Sequence, residues 1–166
     1  MIIKEILNRR SVRDFKPDIV GDESIMEIIK AAQFAPTARD NRAVEFIVIR
    51  EQATKDQLDV ILESQQEYVK IAPVIIIPVI DTEKSVLSTQ DLSIASENIF
   101  LQATAEGLGT VWKNVNPAQA GEIKKLMKIP DNFTLINIIP VGYSDEKLDP
   151  HSDEEFKTEK IHNEKW

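Results

Sequence analysis

Three arginines stand within five positions near the amino end, in the stretch NRRSVRDF over residues 8 to 15. Arg9, Arg10 and Arg13 each carry a permanently charged fork of donors suited to a phosphate or an anionic ring edge, and Ser11 places a hydroxyl among them. The plainer alternative is a solvated helix face, since Arg9 and Arg13 lie four apart and Asp14 or Glu5 could pair with them. Spacing alone leaves both readings open. Elsewhere the signals are weaker. Gly107-Leu-Gly109 lacks the third glycine and the preceding strand of a dinucleotide-binding fingerprint, and a helix end accounts for it. No serine sits in a nucleophile elbow, and no pair of carboxylates is spaced for acid and base work. With no cysteine and only two histidines, His151 and His162, a metal centre is not expected.

The chain that carries these groups is acidic, with 28 Asp and Glu against 20 Lys and Arg and a net charge of −8. Such a balance disfavours a general nucleic-acid binder, which needs clustered cations to neutralise phosphates. At 166 residues, one domain spanning 1–166 is expected, and 42% hydrophobic with 29% charged residues is the composition of a soluble globular protein. No stretch approaches the roughly 20 apolar residues that cross a bilayer. The opening MIIKEILNRR lacks the basic, apolar and small-residue order of an export signal, so a cytoplasmic location away from membranes is expected.

The apolar period changes along the chain in a regular order. Ile2, Ile3, Ile6 and Leu7 fit one face of a short helix running into the arginines. Ser24 with Glu27 reads as a capping box for a second helix, with Ile25, Ile28, Ile29 and Ala32 inward and Pro36 beyond its end. VEFIVIR at 44–50 alternates as a strand, and Thr54 with Gln57 opens a third helix facing inward through Leu58, Ile61 and Leu62. PVIIIPVI at 73–80 reads as a strand covered on both faces, although Pro78 predicts an edge position or a bulge. Residues 89–106 form the longest apolar helix, central to the fold, and Gly107 and Gly109 close it. TVWKN is a short strand, Asn116-Pro117 caps a helix through Lys128, and FTLINIIPV at 133–141 is a final strand. From Ser144 onward the chain is too acidic to fold on its own. Helices with a few separated strands make an α+β domain.

In order along the chain, RRSVRDF, APTARDNRAVEFIVI (35–49), EGLGTVW (106–112), LMKIPDNFTLINIIPVGY (126–143) and IHNEKW at the end resemble the nitroreductase family of flavin enzymes. The resemblance implies a mostly antiparallel sheet flanked by helices, in a homodimer holding FMN in two pockets at the subunit interface. NADH or NADPH reduces the FMN, which then reduces a small-molecule acceptor such as a nitroaromatic or a quinone by a ping-pong route. The family's Arg-Arg-Ser-x-Arg-x-Phe opening is matched by Arg9, Arg10, Ser11, Arg13 and Phe15. Carried over by position, Arg9 meets the FMN phosphate, Ser11 contacts the cofactor and Arg13 lies near the pyrimidine edge, where a fixed cation favours the reduced anion. Pro36, Thr37 and Ala38 match the segment that reaches the partner subunit's flavin. Trp112, Lys113, Asn114 and Val115 match the strand edge facing the ring, and Gln65 is a further polar contact. The resemblance points to no catalytic side chain.

Two departures stand out. Relatives carry Asn-x-Gln-Pro-Trp after Pro-Thr-Ala, whereas this chain has Asp40, Asn41, Arg42, Ala43 and Val44, so either Asn41 takes the amide role one position along or the contact is lost. The C-terminal cations that relatives bring to the phosphate are replaced by Asp153, Glu154 and Glu155, which predicts weaker FMN binding. The tail 144–166 is expected to cross the dimer and bury Trp166, the alternative being a disordered end. Rival readings are a flavin-binding relative with other chemistry, either flavin fragmentation or reductive dehalogenation, and a non-catalytic flavin-binding or interaction protein.

Overall fold

The computed structural model of the protein describes residues 1–63 and 67–166. In chain order the elements are α1 (Lys4–Asn8), α2 (Asp22–Gln33), β1 (Val44–Ile49), α3 (Gln52–Ile61), α4 (Tyr68–Ile71), β2 (Val74–Asp81), α5 (Ser88–Ala105), β3 (Gly109–Thr110), β4 (Lys113–Asn114), α6 (Pro117–Met127), β5 (Phe133–Thr134) and β6 (Asn137–Gly142). The strands form one antiparallel sheet in the order β1-β2-β6-β3, with β4 added to β6 and β5 to β2. Among the described residues no helix is long and apolar enough to cross a membrane.

β2 is the axis of the fold, and all eight of its residues are buried. Because strand side chains alternate, Ile75, Ile77 and Val79 enter the layer formed with α3, α4 and α6. Val74 and Ile76 enter the opposite layer, with α2 and α5. Each fully buried isoleucine contributes about 1.5–3 kcal/mol of transfer free energy, so a strand covered on both faces anchors both layers. Pro78 is not at an edge. It faces Phe46 of β1 on one side, while on the other side β6 pairs only with Val74, Ile75 and Ile76 and β5 only with Ile80 and Asp81. The interval 77–79 has no ladder partner there, so a residue lacking an N–H fits a central strand.

Several local expectations shift. α2 starts at Asp22 with Gly21 as its N-cap and no side-chain cap. The Ser24 hydroxyl instead donates to Glu106 Oε2 at 3.2 Å, tying α2 to the end of α5. α3 begins at Gln52, two residues before Thr54. The expected strand 133–141 breaks at Leu135 and Ile136 into β5, on β2, and β6. At α6 the expected cap forms in full, since Asn116 Oδ1 accepts from the Gln119 N–H at 2.9 Å and Gln119 Oε1 accepts from the Asn116 N–H at 3.1 Å.

The two glycines after α5 have different tasks. Gly107 takes φ +74 and closes the helix, as expected. Gly109 is instead a point of close approach, where a β-carbon would overlap the Val12 side chain. α1 buries none of its residues, leaving Ile6 47% exposed, with Ile3 just before it at 56% and Phe34 just past α2 at 73%. An apolar hollow of about 370 Å³ lies there, lined by Ile3, Ala31, Phe34, Leu101 and Ala105 among others. In the tail, the His151 N–H donates to Leu7 O at 2.8 Å. Beyond it Phe156, Ile161 and Trp166 are all exposed, the last stacked on His162 with centroids 4.2 Å apart.

Candidate functional site

The arginine segment is an extended ribbon rather than a helix face. α1 ends at Asn8, Arg9 already has extended backbone angles, and Val12 N–H donates to Thr110 O at 2.9 Å beside a Ser11–Thr110 bridge. Further along, the Lys16 N–H donates to Tyr143 O and the Asp145 N–H to Asp14 O. Glu146 Oε1 accepts from the backbone N–H groups of Arg13 and Asp14, the latter at 2.7 Å, and so fixes the ribbon at that point.

Extended chain alternates its side chains, and this sorts the motif into two sets. Val12 is buried against Gly109. Arg10 is committed to the tail, with Nε donating to Asp149 O at 2.7 Å, Nη2 to Pro150 O at 3.3 Å, and Glu155 Oε1 3.5 Å away. The other set is Arg9, Ser11 and Arg13. Arg9 is half-buried, and among the described residues its guanidinium has no hydrogen bond or ion pair; neither does the half-buried Ser11 hydroxyl. Arg13 has only its own turn, Nη1 to Ser11 O at 3.3 Å. Arg9 and the Ser11 hydroxyl, without partners among the described residues, and Arg13, bonded only within its own turn, form a donor set suited to an anion in a chain of net charge −8. Arg10 does not belong to it.

Beside Arg13 an open cleft of about 550 Å³ is lined also by Asp14, Glu67, Tyr68, Ile71 and Glu146. Tyr68, which sequence reasoning passed over, is 5% exposed, with its ring in the α3–α4–α6 layer. Its one available signal was an aromatic residue shortly before the fully buried strand.

Pro36, Thr37, Ala38 and Asn41 come together in the turn before β1. The hollow beside it, about 200 Å³, is lined by Ala32, Gln33, Phe34, Thr37, Arg42 and Val44, with no residue of the arginine ribbon. The turn holds Arg39, Asp40 and Arg42 at positive φ, a conformation that costs non-glycine residues about 1–2 kcal/mol each. A buried carboxylate holds it. Asp91, 2% exposed in the first turn of α5, accepts from the Ala38 N–H at 2.9 Å, from Asn41 Nδ2 at 2.9 Å and from the Ser85 hydroxyl at 2.7 Å. Burial pushes the Asp91 pKa up, but the hydrogen bonds from Asn41, Ser85 and the Ala38 N–H outweigh it and leave the group below the usual carboxylate value. Asn41 also donates to Ala38 O at 2.8 Å and accepts from the Ala43 N–H at 2.9 Å. Its amide is therefore engaged inside the turn. Thr37 Oγ1 accepts from the Arg42 N–H, and Arg42 grips Asp40 with two bonds of 2.9 and 3.0 Å.

Lys113 and Asn114 form β4 opposite Ile138 and Asn137. Trp112 precedes it, edge-on to Phe100 with centroids 6.3 Å apart, and Val115 is buried with its N–H donating to Ile136 O. Val111 and Trp112 interrupt the ladder between β3 and β4, where a single strand was expected. Gln65 lies outside the described residues.

The Nitroreductase family model matches residues 6–75 and 62–143. The chain belongs to the nitroreductase family. A protein from Methanothermobacter thermautotrophicus, provisionally named a NADH dehydrogenase/NAD(P)H nitroreductase, is 37% identical over 99% of this chain and 87% of its own length. One of the same name from Archaeoglobus fulgidus is 32% identical over 99% and 98%. The solved structure of an FMN-dependent nitroreductase from Clostridium difficile R20291 superimposes with a TM-score of 0.93 at 31% identity, covering 99% of this chain and all of that one. The nitroreductase-like α+β fold, read first from the order of motifs, is thus shown by sequence and architecture alike.

Proposed function

We propose that this nitroreductase-family chain is an FMN-dependent oxidoreductase that takes electrons from NADH or NADPH and reduces small acceptors such as nitroaromatics or quinones. The observation that carries it is the set Arg9, Ser11 and Arg13 on one side of an extended ribbon, of which only Arg13 has a bond, to its own turn, while Arg10 and Val12 on the other side are engaged by the tail and by Gly109. This set fits FMN: a guanidinium and a hydroxyl suit the phosphate and its ester arm, and a second guanidinium suits the pyrimidine edge.

In this reading bound FMN supplies the two-electron chemistry, with donor and acceptor using the same cleft in turn. Arg9 holds the phosphate, and Ser11 orients the arm leading to it. Arg13 keeps positive charge where negative charge collects on reduction, which favours the reduced state. Trp112, at the break in the ladder, and Lys113, which opens β4, would border the ring. No side chain need act as acid or base, because orientation and charge are what the protein contributes.

The working unit is a homodimer of single-domain subunits. The uncovered faces of α1 and α5 with Phe34 meet across it, the tail from Ser144 packs Phe156, Ile161 and Trp166 on the partner, and Pro36, Thr37 and Ala38 reach the partner's cofactor. Apolar side chains this exposed support a covering surface. The acidic Asp153–Glu155 stretch adds no cation to the phosphate, so FMN is held chiefly by Arg9.

The test is the visible spectrum of purified protein with and without added FMN, then with NADH under nitrogen. A flavin spectrum that bleaches on NADH and returns with a quinone is expected; protein that ignores FMN would overturn the proposal. An iodotyrosine deiodinase of Nematostella vectensis is 24% identical over 84% of this chain, so a halogenated tyrosine belongs among the acceptors tried.

A further inference from the structure

We infer that Lys55 and the ion pair of Asp59 with Lys70 are positioning residues, which clamp α4 onto α3 and so fix one wall of the cleft beside Arg13. The inference rests on the proposed function for the use of that cleft, and adds to it three residues that belong to no motif.

α4 has four residues, and its own bonds are those of the Lys70 and Ile71 N–H groups to Glu67 O and of the Ala72 N–H to Tyr68 O. A helix this short does not hold together by itself in water, so its place is set by what it packs on. Tyr68, Val69 and Ala72 share an apolar layer with Leu58 of α3 and with Leu62 just past it. Such burial attracts without direction. Direction comes from three polar side chains of α3. Gln52 Nε2 donates to Lys70 O at 3.2 Å, Lys55 Nζ donates to Ala72 O at 2.9 Å, and Asp59 Oδ2 lies 2.8 Å from Lys70 Nζ. Positions 52, 55 and 59 fall three and four apart, on one face of α3. The two donors meet carbonyls at the C-terminal end of α4, where a helix has no partners of its own.

Two of the three side chains are charged and buried, Lys55 at 4% exposure and Asp59 at 2%. Lysine and aspartate are rarely enclosed in this way unless paired. Burial pulls the Lys55 pKa down, with Asp56 offsetting part of the fall. The bland alternative is that these groups merely add adhesion between the helices. Apolar side chains would do that at least as well, because exchanging a buried ion pair for them is often neutral or stabilising. What directed donors and a charge pair add is one placement of α4 along α3. Glu67, Tyr68 and Ile71 line the cleft from α4 and its N-cap, while Arg13, Asp14 and Glu146 line it from the ribbon and the tail. Glu146 fixes the ribbon side through its bonds to the Arg13 and Asp14 N–H groups. The clamp does the same for the α4 side, so the width between the walls, and with it the fit of donor and acceptor, depends on residues that touch neither.

The experiment compares wild type, Lys55→Met, the double variant Asp59→Leu/Lys70→Met and the conservative Lys70→Arg. Stability is read from a urea titration, opening of α4 from hydrogen exchange at the Lys70, Ile71 and Ala72 amides, and fit in the cleft from KM and kcat with NADH and a quinone. The double variant leaves no buried charge unmatched, so its urea midpoint should equal or exceed that of wild type. Its α4 amides should exchange about tenfold faster, and KM for the quinone should rise about three- to tenfold with kcat little changed. Lys55→Met should move exchange and KM in the same direction, and Lys70→Arg, which keeps the pair, should match wild type. Unchanged α4 exchange in the double variant overturns the clamp, and so does a lower urea midpoint, which would mean that the pair serves adhesion. Faster exchange with an unchanged KM overturns its role in the cleft. Wild-type protein that takes up no FMN overturns the proposed function instead, and the exchange comparison, which needs no flavin, still decides the clamp.

Discussion

The arginine ribbon and the turn before β1 are both short, polar and rich in charge, yet they treat their polar groups in opposite ways. In the turn, apart from the exposed Arg39, the strong groups are matched internally: Asp91 takes three donors, Asn41 uses both ends of its amide, and Arg42 closes on Asp40. In the ribbon, Arg9 and the Ser11 hydroxyl have no partner among the described residues. A closed circuit fixes backbone geometry, while open donors bind what arrives from outside. The turn is built to hold a shape, and in the proposed function the ribbon is what holds the ligand.

Breaking the turn should give the largest effect. Asp91→Ala leaves the Ser85 hydroxyl, the Asn41 amide and the Ala38 N–H without their acceptor in a buried place, and about 3 kcal/mol of unfolding free energy is expected to disappear in a urea titration. If Ala38 reaches the partner's cofactor, FMN affinity falls as well.

Breaking the ribbon should do the reverse. Arg9→Ala is expected to cost about ten- to a hundredfold in FMN affinity, as for charge-assisted bonds to a phosphate, while stability moves by less than about 0.5 kcal/mol. Arg10→Ala, one position along, should leave affinity nearly intact and loosen only the docking of Asp149 and Pro150. Equal loss of FMN affinity in the two variants would erase the distinction between the faces of the ribbon.

Acid sharpens the comparison from the turn's side. The Asp91 pKa lies below its unfolded value near 3.9, so its contribution is complete above that pH and is lost as pH falls through the folded value. The gap in urea midpoint between wild type and Asp91→Asn should therefore be widest at neutral pH and narrow below about pH 4. A gap constant over that range would mean that charge on Asp91 contributes nothing. The smallest effect on the chain's own core comes from ending it before Ser144. That removal should leave the apolar layers intact and convert dimer to monomer in sedimentation at micromolar concentration.

Much of this was legible in residue order. The long helix α5, the two-sided strand β2 and the Asn116-Pro117 cap of α6 follow from local period and capping chemistry, which depend on neighbours a few positions away. Pro78 was misplaced because no local signal reveals that the sheet has a gap opposite 77–79. Ser24 promised a cap and instead bonds Glu106, 82 positions along. The bonds that Asn41 makes inside its turn were not legible either, since its partner Asp91 is 50 positions away.

By itself the amino-acid sequence determined the family, the class of fold and the clustering of three arginines around a serine, because these reside in short patterns of residue type. Only the tertiary structure decided which members of that motif are available. Whether a guanidinium is free depends on what the rest of the chain brings within hydrogen-bond reach: the tail closes on Arg10, Gly109 makes room for Val12, and nothing among the described residues comes to Arg9.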